Sequence, residues 1–413
     1  MAMRESTAFT AYNLSPLQQR VRKENESGKH GKAPKKCVVT GGTGFVGQRL
    51  VEMLVERGAE KVIVFDIVPP AKNMLQGPVV EYVLGDLCDA EAVRAAVRGA
   101  NCVWHNAAVV GPFHPFDLYE RVNVEGTRNV IEACKNHNVP KLVYSSSPST
   151  RFDGRDFDGE TADEMPTIPQ KSYVAEYAKT KAEGELLVRA ACCDSLLTIS
   201  VAPHQVYGPR DNLFMPNFLE AAGGRLRIFG SGKNRICFTH VDNYAHALIL
   251  GERALFPGSK ALGKFYIATD GETHPHPEGY CEYWKEVDKA IVMMGFTSLF
   301  TKFHLPAGFV MFLGWVCEIV GAIVGVKTRL TRFTVKMLTM HRWFNIESTK
   351  QDLGYTPVIG FNEGWPETMS WFKENWLPTF SSKRTGLAMG VAMQTQAKID
   401  IQAGVTSRDK KME

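Results

Sequence analysis

A short glycine-rich segment constrains the fold more than any other part of this sequence. Residues 40–47 read Thr-Gly-Gly-Thr-Gly-Phe-Val-Gly, between the apolar run at 37–39 and a helix-like stretch. A strand, a glycine turn and a helix start form, in that order, the site that holds a dinucleotide pyrophosphate. We expect Gly41 to permit the turn, Gly44 to let the backbone approach the phosphates, and Gly47 to let the helix pack against the strand. The helix N-terminus would then offer free N–H groups to the anion.

An acidic residue ends the next apolar run. Residues 62–65 are Val-Ile-Val-Phe, and Asp66 follows them, nineteen positions after Gly47. An acid at this place accepts hydrogen bonds from the adenosine ribose hydroxyls and repels a 2′-phosphate. The pattern predicts NAD rather than NADP as the cofactor. The alternative is a glycine turn that binds no ligand.

The charge and composition are those of a globular protein. The 413 residues carry a net charge of +4, which offers no case for a nucleic-acid partner. The nine cysteines include no Cys-x-x-Cys pair, so we expect buried, reduced thiols rather than disulfides. No metal site is predicted, because no ligand spacing connects the histidines at 105, 114, 204 and 240. Among these, His114 is a candidate for substrate contact.

Short β-rich runs alternate with helix-like stretches from residue 36 to about residue 202. This alternation predicts an α/β fold, a doubly wound parallel sheet of the Rossmann type with helices on both faces. The predicted strands are Cys37–Thr40, Val62–Asp66, Val79–Leu84, Cys102–Asn106, Leu142–Ser146 and Leu197–Ala202, and the predicted helices are Val46–Arg57, Ala90–Val97, Arg121–Asn136 and Tyr173–Ala191.

The regular alternation fades in the second half, where glycine- and proline-containing loops interrupt short elements. The sequence therefore predicts a Rossmann domain at 36–255 and a smaller C-terminal substrate lobe at 256–380. Residues 1–35 are polar and basic, with no apolar run typical of a signal peptide, and are predicted to form a disordered tail. Residues 381–413 are predicted to form a flexible tail.

An apolar segment interrupts the substrate lobe. Residues 306–326 contain one charged residue, Glu318, and as a helix they would be about 31 Å long, close to the thickness of a hydrocarbon core. We weigh three interpretations: a membrane helix or shallow hairpin, an apolar lid over a lipid pocket, and an ordinary core helix. Lys410 and Lys411 resemble the dilysine signal of endoplasmic reticulum proteins. That signal must face the cytosol, so either the segment dips into the membrane and returns, or the match at the tail is accidental.

A tyrosine and a lysine lie four positions apart in a helical stretch, at Tyr177 and Lys181. This spacing places both side chains on one face of the helix, one turn apart. A lysine ammonium, together with a positively charged nicotinamide ring, stabilises a phenolate and lowers the pKa of the tyrosine. Ser147 follows a predicted strand, at the sheet edge where doubly wound folds bind ligands, and can donate to the reacting oxygen. We therefore predict Ser147, Tyr177 and Lys181 as catalytic residues.

Taken together, these motifs resemble an extended short-chain dehydrogenase/reductase, and within that superfamily the 3β-hydroxysteroid dehydrogenases. The residues that carry the resemblance are Thr40–Gly47, Gly85-Asp86-Leu87, Asn106-Ala107-Ala108, Ser147 with Tyr177 and Lys181, Tyr207–Arg210 and Phe238–Asp242. The resemblance covers roughly residues 36–380.

The resemblance also implies roles for residues around the glycine turn. It implies that Asp86 and Leu87 contact the adenine, that Ala107 and Ala108 line the cofactor cleft, and that Pro203 lies near the nicotinamide. Phe45, Val46, Tyr177 and Lys181 complete the predicted cofactor set, in which Lys181 can hold the nicotinamide ribose. Asn123 is expected to brace the active-site helix. Each of these residues also has a local structural explanation, such as a helix cap or a strand end.

The expected activity is oxidation of the 3β-hydroxyl of a sterol by NAD, most closely of a 4α-carboxysterol with loss of CO2. Two alternatives remain. The first is a nucleotide-sugar epimerase or dehydratase, although Ile236 stands where those enzymes tend to carry a diphosphate-binding arginine. The second is a membrane-tethered NAD-binding scaffold without turnover.

The expected partners and location follow from the lipid substrate. We expect a sterol substrate, a membrane partner at the endoplasmic reticulum or a lipid droplet surface, and a catalytic domain that faces the cytosol. A homodimer is compatible with this interpretation.

Overall fold

The sheet at the centre of the molecule follows the predicted alternation of strands and helices. The computed structural model describes residues 14–383, apart from 112–113, 172, 174, 223–225, 325–327 and 329. The strands are β1 Lys36–Thr40, β2 Lys61–Asp66, β3 Val80–Leu84, β4 Cys102–His105, β5 Lys141–Ser145, β6 Phe157–Glu160, β7 Leu197–Pro203, β8 Val206–Tyr207, β9 Arg235–Ile236, β10 Thr239–His240, β11 Phe265–Ala268, β12 Cys281–Glu282 and β13 Arg342–Phe344.

Helices connect these strands. They are α1 Pro16–Glu26, α2 Phe45–Glu56, α3 Ala90–Val97, α4 Phe116–Tyr119, α5 Gly126–Asn136, α6 Glu176–Ala190, α7 Phe214–Ala222, α8 Val241–Arg253, α9 Tyr283–Met293, α10 Ala307–Val324, α11 Arg332–Thr339, α12 Glu347–Leu353, α13 Phe361–Asn375 and α14 Leu377–Lys383. Residues Glu120–Glu125 form a π-helix between α4 and α5, and Pro148–Arg151 form a 3₁₀ turn.

The main sheet has seven parallel strands in the order β11-β7-β5-β4-β1-β2-β3. The strand order reverses beside β1, whose Cys37 is paired with Val62 of β2 on one side and with Cys102 of β4 on the other. This is the doubly wound arrangement, and it confirms the predicted fold class. The carboxyl ends of β1, β4, β5 and β7 share one edge, which is where such folds bind ligands.

Apolar residues cover both faces of this sheet. On one face Leu50 and Leu54 of α2 join Leu248 of α8 in a buried cluster over β1 and β7. On the other face, Val93 of α3 and Ile131 of α5 belong to a second buried cluster. Burial of both faces explains why the central strands read as continuous apolar runs.

A second, smaller sheet, with the strand order β12-β9-β13-β6, is the centre of the unit predicted to be the substrate lobe. Its strands do not follow the predicted division at residue 255, because β6 and β9 precede that point and pair with β13, which follows it. Conversely, β11 lies beyond residue 255 but pairs with β7 in the main sheet. The chain crosses between the two units several times, which a division by sequence position does not capture.

The N-terminal segment also differs from its prediction as a disordered tail, since residues 16–26 form α1. The helix begins with a capping box at Ser15 and Gln18. The Gln18 amide donates to Asp242 of α8 at 2.8 Å, and the Asn25 amide donates to Glu56 of α2 at 2.6 Å. These buried polar contacts hold α1 on the Rossmann unit.

The apolar segment forms α10, which is the one helix in the described part of the chain that is long and apolar enough to cross a membrane. Its large apolar side chains are mostly exposed, for example Phe312 at 57% and Ile323 at 79%. This exposure argues against the ordinary core helix. The end of the predicted segment, at 325–326, and the dilysine pair lie outside the described residues, as does the tail from residue 384.

Candidate active site

The glycine turn closes tightly between β1 and α2. Gly41 has a φ of +68°, and a Cβ atom there would lie 2.7 Å from the Cα atom of Ala107, so glycine is required twice over. A Cβ atom at Gly47 would lie 2.0 Å from the carbonyl oxygen of Gly41. Gly47 therefore permits contact between the helix and the turn itself, rather than with the strand as predicted. Gly44 occupies the N-cap of α2 without a capping side chain.

Asp66 lies at the end of β2, beside this turn. Its carboxylate accepts hydrogen bonds from the backbone N–H groups of Thr43 and Val68, each at 3.0 Å. These bonds fix the carboxylate at the edge of the turn, where an adenosine ribose would lie in a dinucleotide site. The turn and the acid together fit a dinucleotide such as NAD.

The other predicted cofactor residues surround the same sheet edge. Ala107 follows β4, and its N–H donates to Thr40 Oγ1 at 3.2 Å. The Asp86 carboxylate accepts from the N–H of Cys88 at 2.9 Å. The side chain of Leu87 is buried in the core under α3 and α5, so it would meet an adenine mainly through its backbone. The remaining members are Phe45 and Val46 at the start of α2, Ala108 after β4, and Pro203 at the end of β7.

The three predicted catalytic residues meet where β5 ends and α6 begins. Ser147 caps the 3₁₀ turn that follows β5, and its hydroxyl shares a 2.8 Å hydrogen bond with the hydroxyl of Ser149. Ser147 also lies near enough to the phenol of Tyr177 to lower the pKa of that group. Lys181 lies one turn further along α6 and is 3% exposed. Its ammonium nitrogen donates to the carbonyl oxygen of Ser145 at 2.7 Å and lies 4.0 Å from the centre of the Tyr144 ring. The structure thus brings the serine, the phenol and the lysine together.

Burial shifts the pKa values of Tyr177 and Lys181. It raises the pKa of Tyr177 to about 12, partly offset by the hydrogen bond from Ser147. Burial lowers the pKa of Lys181 to about 7, against the opposing effect of Glu185. The protein's own groups therefore shift the tyrosine in the direction opposite to that predicted from the Tyr-Lys spacing. The physical reason is desolvation of the phenolate, to which the neighbouring Tyr119 adds in the same direction.

A charged network behind the serine was not predicted from the sequence. Glu185, one turn beyond Lys181, forms a buried salt bridge with Arg151 at 2.5 Å and accepts a hydrogen bond from Ser146 Oγ at 2.6 Å. These contacts tie α6 to both sides of Ser147. The sequence signal was a carboxylate on the same helical face as Lys181, four positions later.

Asn123 occupies the π-helix and braces α6, as expected. Its side chain exchanges hydrogen bonds with the backbone N–H and carbonyl of Val109, at 2.9 and 3.3 Å, and donates to Thr180 Oγ1 at 3.2 Å. His114 is buried and packs edge-on against Tyr119, whose ring neighbours Tyr177. Among the described residues, no group of three or more His, Cys, Asp or Glu side chains could hold a metal ion.

This fold and site define an extended short-chain dehydrogenase/reductase. A model of the 3-beta hydroxysteroid dehydrogenase/isomerase family matches residues 38–290, so the chain belongs to that family. Membership confirms the resemblance deduced from the motifs, and with it the prediction of an NAD-dependent oxidoreductase.

Individual relatives span most of the chain. It is 37% identical over 338 residues to the 2-alkyl-3-oxoalkanoate reductase of Stenotrophomonas maltophilia (strain K279a), covering 80% of this chain and 97% of the relative. It is 31% identical over 354 residues to the human sterol-4-alpha-carboxylate 3-dehydrogenase, decarboxylating, covering 82% and 88%. A solved dTDP-glucose 4,6-dehydratase from Streptomyces venezuelae, DesIV with NAD and TYD bound, is similar in fold, with a TM-score of 0.62 and 20% identity over 82% of this chain and 97% of that one.

Proposed function

We propose that this protein oxidises the 3β-hydroxyl group of a 4α-carboxysterol with NAD+ and releases the carboxylate as CO2. The observation that carries the proposal is the meeting of Ser147, Tyr177 and Lys181 at the carboxyl edge of the sheet, beside the glycine turn. The human sterol dehydrogenase, which is similar over most of both chains, supports the choice of substrate.

The oxidation step assigns one role to each catalytic residue. Only the phenolate form of Tyr177 can take the proton of the 3β-hydroxyl, and with a pKa of about 12 in the protein alone this form would need the positive charge of a bound nicotinamide ring to be populated. Ser147, beside the phenol, holds the reacting oxygen. Bound at the glycine turn, NAD+ would supply the acceptor for the hydride that leaves C3. Lys181, with a pKa of about 7, gains and loses a proton near neutral pH, so we assign it the relay of the proton from Tyr177 toward solvent.

The loss of CO2 follows from the ketone that oxidation creates. That ketone lies β to the 4-carboxylate, so the bond between C4 and the carboxylate can break with its electron pair moving into an enolate. Ser147 and Tyr177 are placed to stabilise the enolate oxygen by donating hydrogen bonds. C4 then takes up a proton, which balances the proton removed from the hydroxyl.

A second candidate function is favoured by the bacterial relative, a 2-alkyl-3-oxoalkanoate reductase. The same three residues would then act in reverse, with Tyr177 protonating the new hydroxyl and the carboxylate retained. The substrates of both candidate functions carry an oxygen on the carbon β to a carboxylate. In both, the carbon between these two groups carries an alkyl substituent. The epimerase alternative draws support from the fold alone, since the sugar-nucleotide enzyme has 20% identity.

Turnover of defined substrates tests the proposal. Purified protein is incubated with NAD+ and a 4α-carboxysterol labelled at the carboxyl carbon, and NADH and labelled CO2 are measured together. Equal amounts of both are expected. NADH without CO2 would favour plain 3β-hydroxysteroid oxidation. No reaction here, together with consumption of NADH by a 2-alkyl-3-oxoalkanoate, would favour the reductase.

We also propose that α10 dips into a membrane and returns, rather than crossing it. At its N-terminal end, Leu305 exchanges backbone hydrogen bonds with Ile228 and Gly230 of the substrate lobe, at 2.9 and 2.8 Å. At its other end, α11 brings the chain back to the same lobe, where Trp284 Nε1 donates to the carbonyl oxygen of Leu338 at 3.1 Å. Both ends of the apolar helix therefore return to one body.

The charge inside the apolar helix has a partner in this hairpin. The Glu318 carboxylate accepts from the N–H and the Nε of Arg332, both at 2.7 Å. Pairing reduces the cost of placing a carboxylate among lipid chains. Gly314 allows the close approach, because a Cβ atom there would lie 3.0 Å from the backbone nitrogen of Arg332.

The topology is tested by protease protection in intact microsomes. Tags at both termini should be cleaved, while the protein resists extraction by alkaline carbonate. Protection of the C-terminal tag alone would mean that the helix crosses the membrane.

A further inference from the structure

A buried arginine without an acidic partner lies in the substrate lobe. Arg342 of β13 is 9% exposed. Its Nη2 donates to the carbonyl oxygen of Met337 at 2.9 Å, while its Nε is buried and has no hydrogen-bond partner. Within the described part of the chain, no Asp or Glu forms a salt bridge with this guanidinium. Its positive charge is therefore buried without compensation, which is costly.

Two other buried arginines have carboxylate partners: Arg49 forms salt bridges with Glu56 and Asp242, and Arg151 forms one with Glu185. Arg57 resembles Arg342 in having no salt bridge among the described residues and one buried nitrogen without a partner there, but two of its other nitrogens bond to the Asn25 amide oxygen and to His246 Nδ1. Of these two arginines only Arg342 lies on the small sheet, and a buried guanidinium without a carboxylate of its own is suited to receive the carboxylate of a ligand in bidentate geometry.

A second buried polar group faces the same place. His204 is 4% exposed, and its Nδ1 lies 2.9 Å from the carbonyl oxygen of Cys237. Its Nε2 is buried and has no hydrogen-bond partner. Cys237 lies between the two residues, because its N–H donates to the carbonyl oxygen of Arg342 at 3.3 Å while its own carbonyl oxygen bonds to His204. Burial, and next the positive charge of Arg342, hold the pKa of His204 well below its usual value. An anion between them would satisfy Arg342 Nε and, by favouring a protonated imidazole, His204 Nε2.

The position of His204 connects this pair with the catalytic residues. β7 ends at Pro203, directly before His204, and β5 pairs with β7 up to Ser145 and Val201. The N–H of Ser146 continues the pairing by donating to the carbonyl oxygen of Val201 at 2.8 Å. His204 and Ser147 therefore leave neighbouring strands at the same edge of the sheet.

We propose that Arg342 and His204 form a carboxylate-binding subsite, which selects substrates that carry an acid group two bonds from the hydroxyl-bearing carbon. The inference rests on the proposed function and deepens it, because it assigns recognition of the acid to two residues outside the catalytic set. It also fits the second candidate, since both substrate classes are acids with the oxygen at the β carbon.

The test compares an acid with its neutral counterpart. Arg342→Met removes the guanidinium but keeps an unbranched apolar side chain, and Arg342→Lys keeps a positive charge without the bidentate fork. With NAD+, kcat/KM is measured for a 4α-carboxysterol and for the same 3β-hydroxysterol without the carboxylate. We expect Arg342→Met to lose about 100-fold on the acid, mostly through KM, and less than threefold on the neutral sterol. Arg342→Lys should be intermediate.

Arg235→Met is the matched control. Arg235 lies on β9 beside β13, but its guanidinium is partly exposed and paired with Asp158 at 3.0 Å. In this variant, kcat/KM for the acid and for the neutral sterol should each stay within threefold of wild type. Equal losses on acid and neutral sterol in Arg342→Met would mean a structural role and would overturn the subsite. Unchanged kinetics on the acid would overturn it too.

A binding measurement separates this proposal from the dehydrogenase assignment. Tryptophan fluorescence of the NAD+ complex is titrated with the acid and with the neutral sterol. Wild type should bind the acid more tightly than the neutral sterol, and Arg342→Met should reduce this preference. If Arg342→Met does not fold, Arg342→Lys takes its place. This result supports the subsite even without turnover. Turnover with equal affinity for both sterols overturns the subsite alone, while wild-type protein that neither binds nor oxidises either sterol overturns both proposals.

Discussion

The ammonium nitrogen of Lys181 donates a 2.7 Å hydrogen bond to the backbone carbonyl oxygen of Ser145, two residues before Ser147. The bond ties α6 to the end of β5 and so sets the position of the helix that carries Tyr177. The acceptor is a neutral carbonyl, which does not compensate a buried charge as a carboxylate would. The pKa of Lys181 accordingly falls to about 7.

This pKa predicts a pH-dependent stability that Lys181→Met should abolish. The unfolded chain keeps the lysine proton up to a pKa of 10.5, while the folded protein releases it above about 7. The unfolded state therefore binds more protons between these values, and stability rises with pH at up to about 1.4 kcal/mol per pH unit. Urea unfolding of both proteins at pH 6, 7 and 9 should show wild type gaining about 2 kcal/mol relative to the variant between pH 7 and 9. If the free energies of unfolding of wild type and Lys181→Met change equally with pH, the assigned pKa of Lys181 is wrong.

Tyr177→Phe should separate catalysis from cofactor binding. Removal of the phenol oxygen should lower kcat by about 10²- to 10⁴-fold, since proton transfer loses its positioned group. Affinity for NAD+, measured by fluorescence titration, should change by less than threefold. Tyr119→Phe is the matched control, because the Tyr119 ring lies 6.2 Å from that of Tyr177 and its hydroxyl donates to the carbonyl oxygen of Gly111. If the protein is an NAD-binding scaffold without turnover, no activity will be measured in wild type or in either variant, and NAD+ affinity will be the same in all three.

Gly47→Ala should disrupt the dinucleotide site. The new Cβ atom would lie 2.0 Å from the Gly41 carbonyl oxygen, so the turn must move away from α2. We expect a loss of about 1–3 kcal/mol in the free energy of unfolding and at least tenfold weaker NAD+ binding. Gly308→Ala in α10, where no atom lies within 4 Å of the new Cβ atom, should alter neither quantity appreciably. Equal behaviour of the two variants would contradict the geometry of the turn.

Gln18→Ala should destabilise the fold by about 1–3 kcal/mol, because it removes a buried hydrogen bond to the Asp242 carboxylate. The neighbouring Gln19 is exposed and donates to the carbonyl oxygen of Leu14, so Gln19→Ala should stay within about 0.5 kcal/mol of wild type. Chemical denaturation measures both. If the two variants are equally stable, α1 is not anchored through Gln18.

The double variant Phe312→Glu/Ile323→Glu should release the protein from membranes. Both side chains are largely exposed on α10, and charges there oppose insertion into lipid. Flotation with liposomes should find the variant in the soluble fraction, with NADH formation on detergent-dispersed substrate retained. Phe256→Glu, at a 55% exposed phenylalanine outside α10, should float like wild type. Flotation of the double variant would rule out α10 as the membrane-binding element.

The sequence predicted the main sheet because its signals are local. Each central strand is an apolar run bounded by polar or glycine residues, and all six predicted strands are present with ends that differ by at most one residue. The glycine turn could also be predicted, since the positive φ of Gly41 and the contact between Gly47 and Gly41 are local, although Gly41 also meets Ala107, which follows β4.

The missed features depend on partners that are distant in sequence. Gln18 and Asn25 read as surface residues of a polar tail, and only their contacts with Asp242 and Glu56 make them buried. The shift of Tyr177 toward a higher pKa likewise depends on burial, which the Tyr-Lys spacing does not report. The catalytic and cofactor roles of the individual residues remain predictions.

The transfer of a labelled hydride tests the central claim most directly. A 4α-carboxysterol carrying deuterium at C3 and a labelled carboxyl carbon is given to wild type and to Tyr177→Phe with NAD+. Wild type should yield deuterated NADH and labelled CO2 in equal amounts, and the variant should yield neither above about one part in a hundred. Release of CO2 without deuterium transfer, or full transfer by the variant, would contradict the assignment of Ser147, Tyr177 and Lys181 as the catalytic set.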